Sequence, residues 1–231
     1  MKNNRVKQIL VIISLFICSF ITNTIYANQL RHNQLLEFAL SAQNLTTDLK
    51  FSTNAYYKTK TNQLGINWYE PFTHYFHGGL EAGYLEVTQI ENTLPSAQYT
   101  SGEYAGLLLR FIPLVTDKLT LRLNLNYRYS QTRGSSTDQE TQFAWNSALF
   151  NTELEYQLTN HVGVLVAAEF HNLNGEQRDS GTVSKITEFT ESEQQSTRLG
   201  LNFTSSRNGI IGIEKITGFR NGTRLYFLRK F

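Results

Sequence analysis

Between Leu119 and Tyr129 the chain alternates residue by residue. Leu121, Leu123, Leu125, Tyr127 and Tyr129 fall on one side, and Arg122, Asn124, Asn126 and Arg128 on the other. A period of two is that of a strand, whose successive side chains point to opposite faces, and no amphipathic helix produces it. The same period recurs along the chain. Leu36, Phe38, Leu40 and Ala42 oppose Glu37, Ser41 and Gln43, and Leu64, Ile66 and Trp68 follow. Leu80, Ala82 and Tyr84 oppose Glu81 and Gly83; Ala105, Leu107, Leu109 and Phe111 oppose Gly106 and Arg110. Farther on, Ala148, Phe150, Leu154 and Tyr156 oppose Asn151, Glu153 and Glu155, and Val164, Val166, Ala168 and Phe170 oppose Glu169 and His171. Leu199, Leu201 and Phe203 then oppose Arg198 and Asn202, and two more strands are predicted around Ile210 to Ile216 and Gly222 to Phe231.

That spacing gives ten strands, with eight as the alternative. The separators alternate in length. Short turns are predicted near Glu70 to Tyr75, Pro113 to Lys118, Leu158 to His161 and Thr204 to Asn208. Long polar stretches are predicted over Asn44 to Lys58, Gln89 to Ser101, Gln131 to Thr141 and Asn172 to Gln195, and a short last turn over Gly218 to Gly222. A soluble β-sandwich also alternates, but short turns at one end and long loops at the other are the arrangement of a membrane barrel. The predicted fold is an all-β, transmembrane, antiparallel up-and-down β-barrel over residues 28–231.

Residues 1–27 read as an export signal. Lys2, Arg5 and Lys7 precede an apolar run from Ile9 to Ile21, too short to span a bilayer as a helix, with cleavage expected after Ala27. Ile17 stands before Cys18 where a lipoprotein signal wants a small residue. Without the three basic residues of the signal, the 21 Lys and Arg fall to 18, against 19 Asp and Glu. A nearly neutral chain gives no reason to expect nucleic acid as a partner. The single cysteine leaves with the signal, so no disulfide or thiol chemistry remains.

At the C-terminus, Arg220, Gly222, Leu225 and Phe227, followed by Phe231 on the same parity as Leu225, form a polar, glycine, apolar, aromatic series. This resembles the terminal assembly signal of bacterial outer-membrane β-barrel proteins. The resemblance covers only the last dozen residues. It implies a bacterial outer-membrane location, lipid and lipopolysaccharide around the barrel, and recognition of the closing strand by the barrel-assembly machinery. Arg229 departs from an apolar outward face, at the strand end where a long cation reaches head groups.

The inward parity collects Glu37, Glu81, Glu153, Glu155, Glu169 and Glu214 with Arg110, Arg122, Arg128, Arg198, Arg224 and Lys230, six acids against six bases. Small barrels have interiors that side chains fill, and buried charges need partners, so a polar plug is expected rather than an open pore. Catalytic signals are sparse, and nothing predicts a cofactor. Phe170 to Gly175 resembles the His-x-Ser-Asn element of outer-membrane lipid A deacylases, but Leu173 stands where the nucleophilic serine belongs, leaving His171 nothing to activate. His74 and His77 lack a third metal ligand. The acidic run Thr187 to Gln195, with Glu188, Glu191 and Glu193, is expected to be a solvated loop or a surface for cations or an external ligand. The expected function is therefore a non-enzymatic outer-membrane protein with a structural or surface-interaction role through its loops. A narrow porin-like channel is second, and a lipid A-modifying enzyme third.

Overall fold

The computed structural model describes residues 36–206 and 208–231, and in it the alternating runs are antiparallel strands of one sheet. The predicted signal segment lies outside these residues. In chain order the elements are β1 (Glu37–Phe51), β2 (Tyr56–Pro71), β3 (Phe76–Thr88), a four-residue helix α1 (Pro95–Gln98), β4 (Tyr99–Val115) and β5 (Leu119–Ser136). Then come β6 (Gln139–Gln157), β7 (Val162–Gly181), β8 (Lys185–Glu191), β9 (Gln195–Ser206), β10 (Gly209–Gly218) and β11 (Asn221–Lys230). The last strand returns to the first, with Glu37 opposite Lys230 and Thr46 opposite Asn221, so the sheet closes.

It closes twice. At the end carrying the short turns, the ring runs β1 to β7, then β9, β10 and β11 back to β1. At the end carrying the longer connections, it runs β1 to β7 and then through β8 alone, with Asn174 opposite Thr190 on one side and Leu49 opposite Glu191 on the other. The cause is strand length. β5, β6 and β7 have 18, 19 and 20 residues, whereas β9, β10 and β11 have 12, 10 and 10. Where the short strands stop, the upper edges of β7 and β1 hold free backbone donors and acceptors, and β8 satisfies both.

The chemistry of the two faces changes with height, while the alternation of side-chain direction does not. Toward the turn end, Leu64, Leu107, Tyr127, Phe150, Leu199, Ile213 and Leu225 point outward and are exposed, making an apolar belt around a polar interior. Above the belt the pattern inverts. Phe51, Leu85, Val87, Phe143, Leu173 and Phe189 point inward and are buried, while Lys58, Lys60, Arg133, Asn172 and Asn174 are exposed outside.

This inversion corrects the predicted loops. Much of 44–58, 131–141 and 172–195 is strand, and the connections at this end shrink to 52–55, 89–98, 137–138, 182–184 and 192–194. The sheet has eleven strands because β8 falls inside the longest predicted loop. Outward polar positions there masked a ladder that continues unbroken.

One inward aromatic depends on missing side chains. Gly65 and Gly83 are paired across β2 and β3, and the ring of Tyr104 from β4 lies over both. A methyl group added at Gly65 would collide first with the Tyr104 hydroxyl oxygen, with the next ring atom at 3.1 Å. Gly65→Ala should therefore lower stability by about 1–3 kcal/mol, the usual cost of overpacking. In a Tyr104→Phe background, the same change should cost at least about 1 kcal/mol less. Urea midpoints of the four members of this double-mutant cycle in lipid vesicles measure the coupling, and additive effects would disprove the contact.

Candidate functional site

The inward carboxylates and guanidiniums meet in a connected lattice. Near the turn end, Arg110 from β4 crosses to Glu37 of β1 at 2.5 Å, and Lys230 of β11 reaches the other oxygen of Glu37 at 3.2 Å. The Arg110 guanidinium also stacks on Tyr69, 3.9 Å from the ring centroid, and donates to Asn124 at 3.1 Å. Strand alternation places Arg122, Glu153 and Glu155 on the facing inner surfaces of β5 and β6. There Arg122 bridges the two carboxylates at 2.7 and 2.6 Å. Arg198 of β9 takes the second oxygen of Glu153 at 2.8 Å and extends to Glu214 at 3.3 Å and Glu169 at 3.6 Å. Arg224 lies 3.7 Å from Glu214.

Higher up, Arg128 makes a two-pronged contact with Glu81 at 2.7 and 2.8 Å, donates to Gln63 at 2.9 Å, and stacks over Tyr104 at 4.0 Å. Two hydrogen bonds in parallel fix the guanidinium plane as well as its charge. Neutral groups fill what remains: Tyr226 donates to Asn202 at 2.6 Å, and Asn202 donates to Glu155 at 2.9 Å. The space left within the lattice is a cavity of about 170 Å³, on the scale of a few water molecules.

Above the lattice the mouth is closed by a lid of another kind. The connection from β3 to β4 folds inward, burying Gln89, Asn92, Ser96 and Ala97. Gln89 donates to Thr59 at 2.9 Å, Asn92 donates to Gln89 at 3.0 Å, and the Ser96 hydroxyl lies 2.7 Å from that of Thr141. Beside α1, Phe51, Phe143, Phe189, Leu49 and Leu173 pack into one apolar cluster with Trp145 and Tyr57 at its border. Phe189 touches Phe51, Phe143 and Trp145 at centroid distances of 5.3, 5.9 and 6.4 Å, so β8 is pinned by its aromatic side chain as well as by its backbone.

A cavity of about 70 Å³ separates lid from lattice, and His171, Glu191 and Arg220 line it. His171 Nδ1 contacts Glu191 Oε1, while Glu191 Oε2 and Arg220 Nε are buried without a hydrogen-bond partner among the described residues. Burial pushes the Glu191 carboxyl up to about 8, against an opposing pull from Arg220.

The structure brings together all the inward charges expected from parity and adds two. Arg220, read as the polar residue of the terminal assembly signal, turns inward and binds Glu169 at 2.6 Å. It sits in the turn before β11, where strand parity gives no direction. Its backbone N–H donates to the Ser196 hydroxyl at 3.0 Å. Glu191, expected in a solvated acidic loop, is instead held by β8 against His171, while Glu188 and Glu193 stay exposed. Leu225, Phe227 and Phe231 point outward as expected, and a side chain at Gly222 would strike the Asn44 backbone on β1. Leu173, at the position of the missing serine, packs in the aromatic lid. His77 is buried near the turn end, one residue from Phe76 in β3 and opposite Arg110 in the β3–β4 register.

No protein-family model matches the sequence, and no curated protein matches it either. Solved structures do. The outer membrane protease OmpT from Escherichia coli superposes with a TM-score of 0.54 at 8% identity, over 87% of this chain and 98% of that one. The translocator domain of the autotransporter NalP from Neisseria meningitidis superposes with a TM-score of 0.50 at 10% identity, over 94% of this chain and 98% of that one. At such identities the likeness concerns the fold alone, and that fold is the bacterial outer-membrane β-barrel.

Proposed function

We propose that the chain is an integral protein of the bacterial outer membrane whose barrel does not conduct and does not catalyse, and whose role is structural or one of surface interaction. Ten strands, β1 to β7 and β9 to β11, cross the membrane; β8 belongs to the part that stands above it. The apolar belt faces lipid, the short turns face the periplasm, and the tall side formed by β5, β6 and β7 rises outside the cell. The observation that carries this reading is the double filling of the lumen, by a charge lattice at mid-height and an aromatic lid at the mouth. Against catalysis stands the Leu173 side chain, which supplies His171 with no nucleophile. What remains for contact with the outside is the polar outer surface of the tall wall and its connections, a rigid platform of the kind that carries recognition.

In planar bilayers the refolded protein should give no discrete current steps. Reproducible single-channel steps would replace this reading with that of a narrow channel. Within the lattice, Arg122→Ala leaves buried Glu155 without a cationic partner and Glu153 with Arg198 alone, and should cost about 3–5 kcal/mol, while Arg133→Ala on the exposed outer face should stay within about 0.5 kcal/mol. Equal urea midpoints for these two variants would contradict a plugged interior.

The lid should respond to pH through Glu191. Its carboxyl titrates near 8 when docked, against 4.5 ordinarily, so docking favours the protonated form. Below about 4.5 the acid is protonated in both states and imposes no penalty of its own on docking. The penalty grows between 4.5 and 8 and is constant above 8. Hydrogen exchange of the Lys185–Glu191 amides, corrected for intrinsic rates, should accelerate across that window in the native protein and not in Glu191→Gln.

A further inference from the structure

The belt is uneven, and its low side carries a groove. On β5, outward apolar residues run from Leu119 to Tyr129, about 33 Å of strand; on β9 they run only from Leu199 to Phe203, about 13 Å. On β9, β10 and β11 the outward face turns polar early, at Thr197, Lys215, Thr217 and Thr223. Directly across this step runs a row of small outward residues, Thr152, Ala168, Thr197 and Thr217, aligned by the registers of β6, β7, β9 and β10. Phe150 and Phe170, paired with each other two residues higher, form the upper wall of the resulting groove, and Gln195, paired with Phe170, continues that wall toward Gly218. Its volume is about 590 Å³. The Thr197 and Thr217 hydroxyls lie 3.0 Å apart at its polar end.

Lys215 stands beside that end. It points outward and is exposed, two residues from Thr217 on the same face and directly opposite Leu199. Among the described residues no carboxylate lies within 4 Å of it, because the neighbouring Glu214 points inward to Arg198 and Arg224. Glu169, between Ala168 and Phe170 at the groove, turns inward to Arg220 at 2.6 Å and Arg198 at 3.6 Å. A cation rooted at the margin of an apolar belt extends toward the head-group layer. Here it stands beside the Thr197 and Thr217 hydroxyls, at the end of the groove away from Phe150.

We propose that this groove is a binding site for lipopolysaccharide, with an acyl chain along Thr152, Ala168 and Thr197 and a phosphate of the lipid A head on Lys215 and the Thr197 and Thr217 hydroxyls. The site rests on the membrane reading above, because only the loop end of an outer-membrane barrel meets the outer leaflet. Charge complementarity and acyl dimensions argue for a phosphorylated lipid, and the height of the groove selects the one that fills that leaflet.

The test is retention of lipid by the full-length barrel extracted from lipopolysaccharide-containing membranes in mild detergent. Hydroxy fatty acid and phospholipid are quantified per barrel by mass spectrometry. Lys215→Glu and the groove-filling Ala168→Phe should each reduce retained lipopolysaccharide at least fivefold, and Lys185→Glu on the exposed part of β8 should not. Retention unchanged by both variants, or retained phospholipid in place of lipopolysaccharide, overturns the site. Heat-modifiability on a gel shows that each variant is folded. As a check that needs no loss of binding, a photoreactive residue at Thr197 should cross-link lipopolysaccharide where one at Arg133 does not, and equal labelling at both also overturns the site. Failure of the membrane reading looks different: native protein recovered in the soluble periplasmic fraction.

Discussion

Ionised side chains enclosed by a sheet that has closed on itself must find their counter-charges inside it, and this requirement governs the rest of the structure. Glu153 touches both Arg122 and Arg198, which in turn reach Glu155, Glu214 and Glu169. Through these contacts β5, β6, β7, β9 and β10 are tied across the lumen as well as along their backbone ladders. The energetic sense of such a lattice is asymmetric. A complete set of pairs contributes little more than apolar packing would, but a single missing member leaves a buried charge uncompensated. The lattice therefore specifies register more than it adds stability: a one-residue slip of any strand would carry its charges to the lipid face.

The same requirement explains why aromatic and glycine residues recur on the inner wall. A guanidinium packed on a phenol ring keeps its plane free for carboxylates at its edge, as Arg128 does between Tyr104 and Glu81. The ring in turn needs a wall without side chains beneath it, which Gly65 and Gly83 provide. Charge, aromatic and glycine form one stack, read from the lumen outward.

Where a strand carries an apolar belt outside and paired charge inside, its sequence declares both faces. The outward assignment of Leu121 to Tyr129 and the inward one of Arg122 and Glu153 were legible for that reason. Legibility ended where the surroundings changed. Above the belt, polar side chains replace apolar ones outside and an apolar lid replaces the lattice inside, so the parity of Phe143 and Leu173 is opposite to that of Phe150 and Phe170 on the same strands. A rule calibrated on the belt reads those segments as loops. Arg220 escaped for a different reason: its direction comes from a turn folded against β9, and turns carry no period. Glu191 looked like one more charge in an acidic stretch, and only the seating of Phe189 shows why β8 carries it inward.

The two closures of the sheet have unequal consequences for integrity. Both rings use β1 to β7, yet the strands that complete the lower ring are joined to one another by a full ladder from β7 to β1, independent of β8. The upper ring hangs on six residue pairs with β7 and three with β1. Detachment of β8 would thus unroof the aromatic lid while every backbone group within the belt kept its partner. The belt and the rim are thus closed by separate ladders, and a change in the rim's sequence that released β8 would leave the seal beneath it paired.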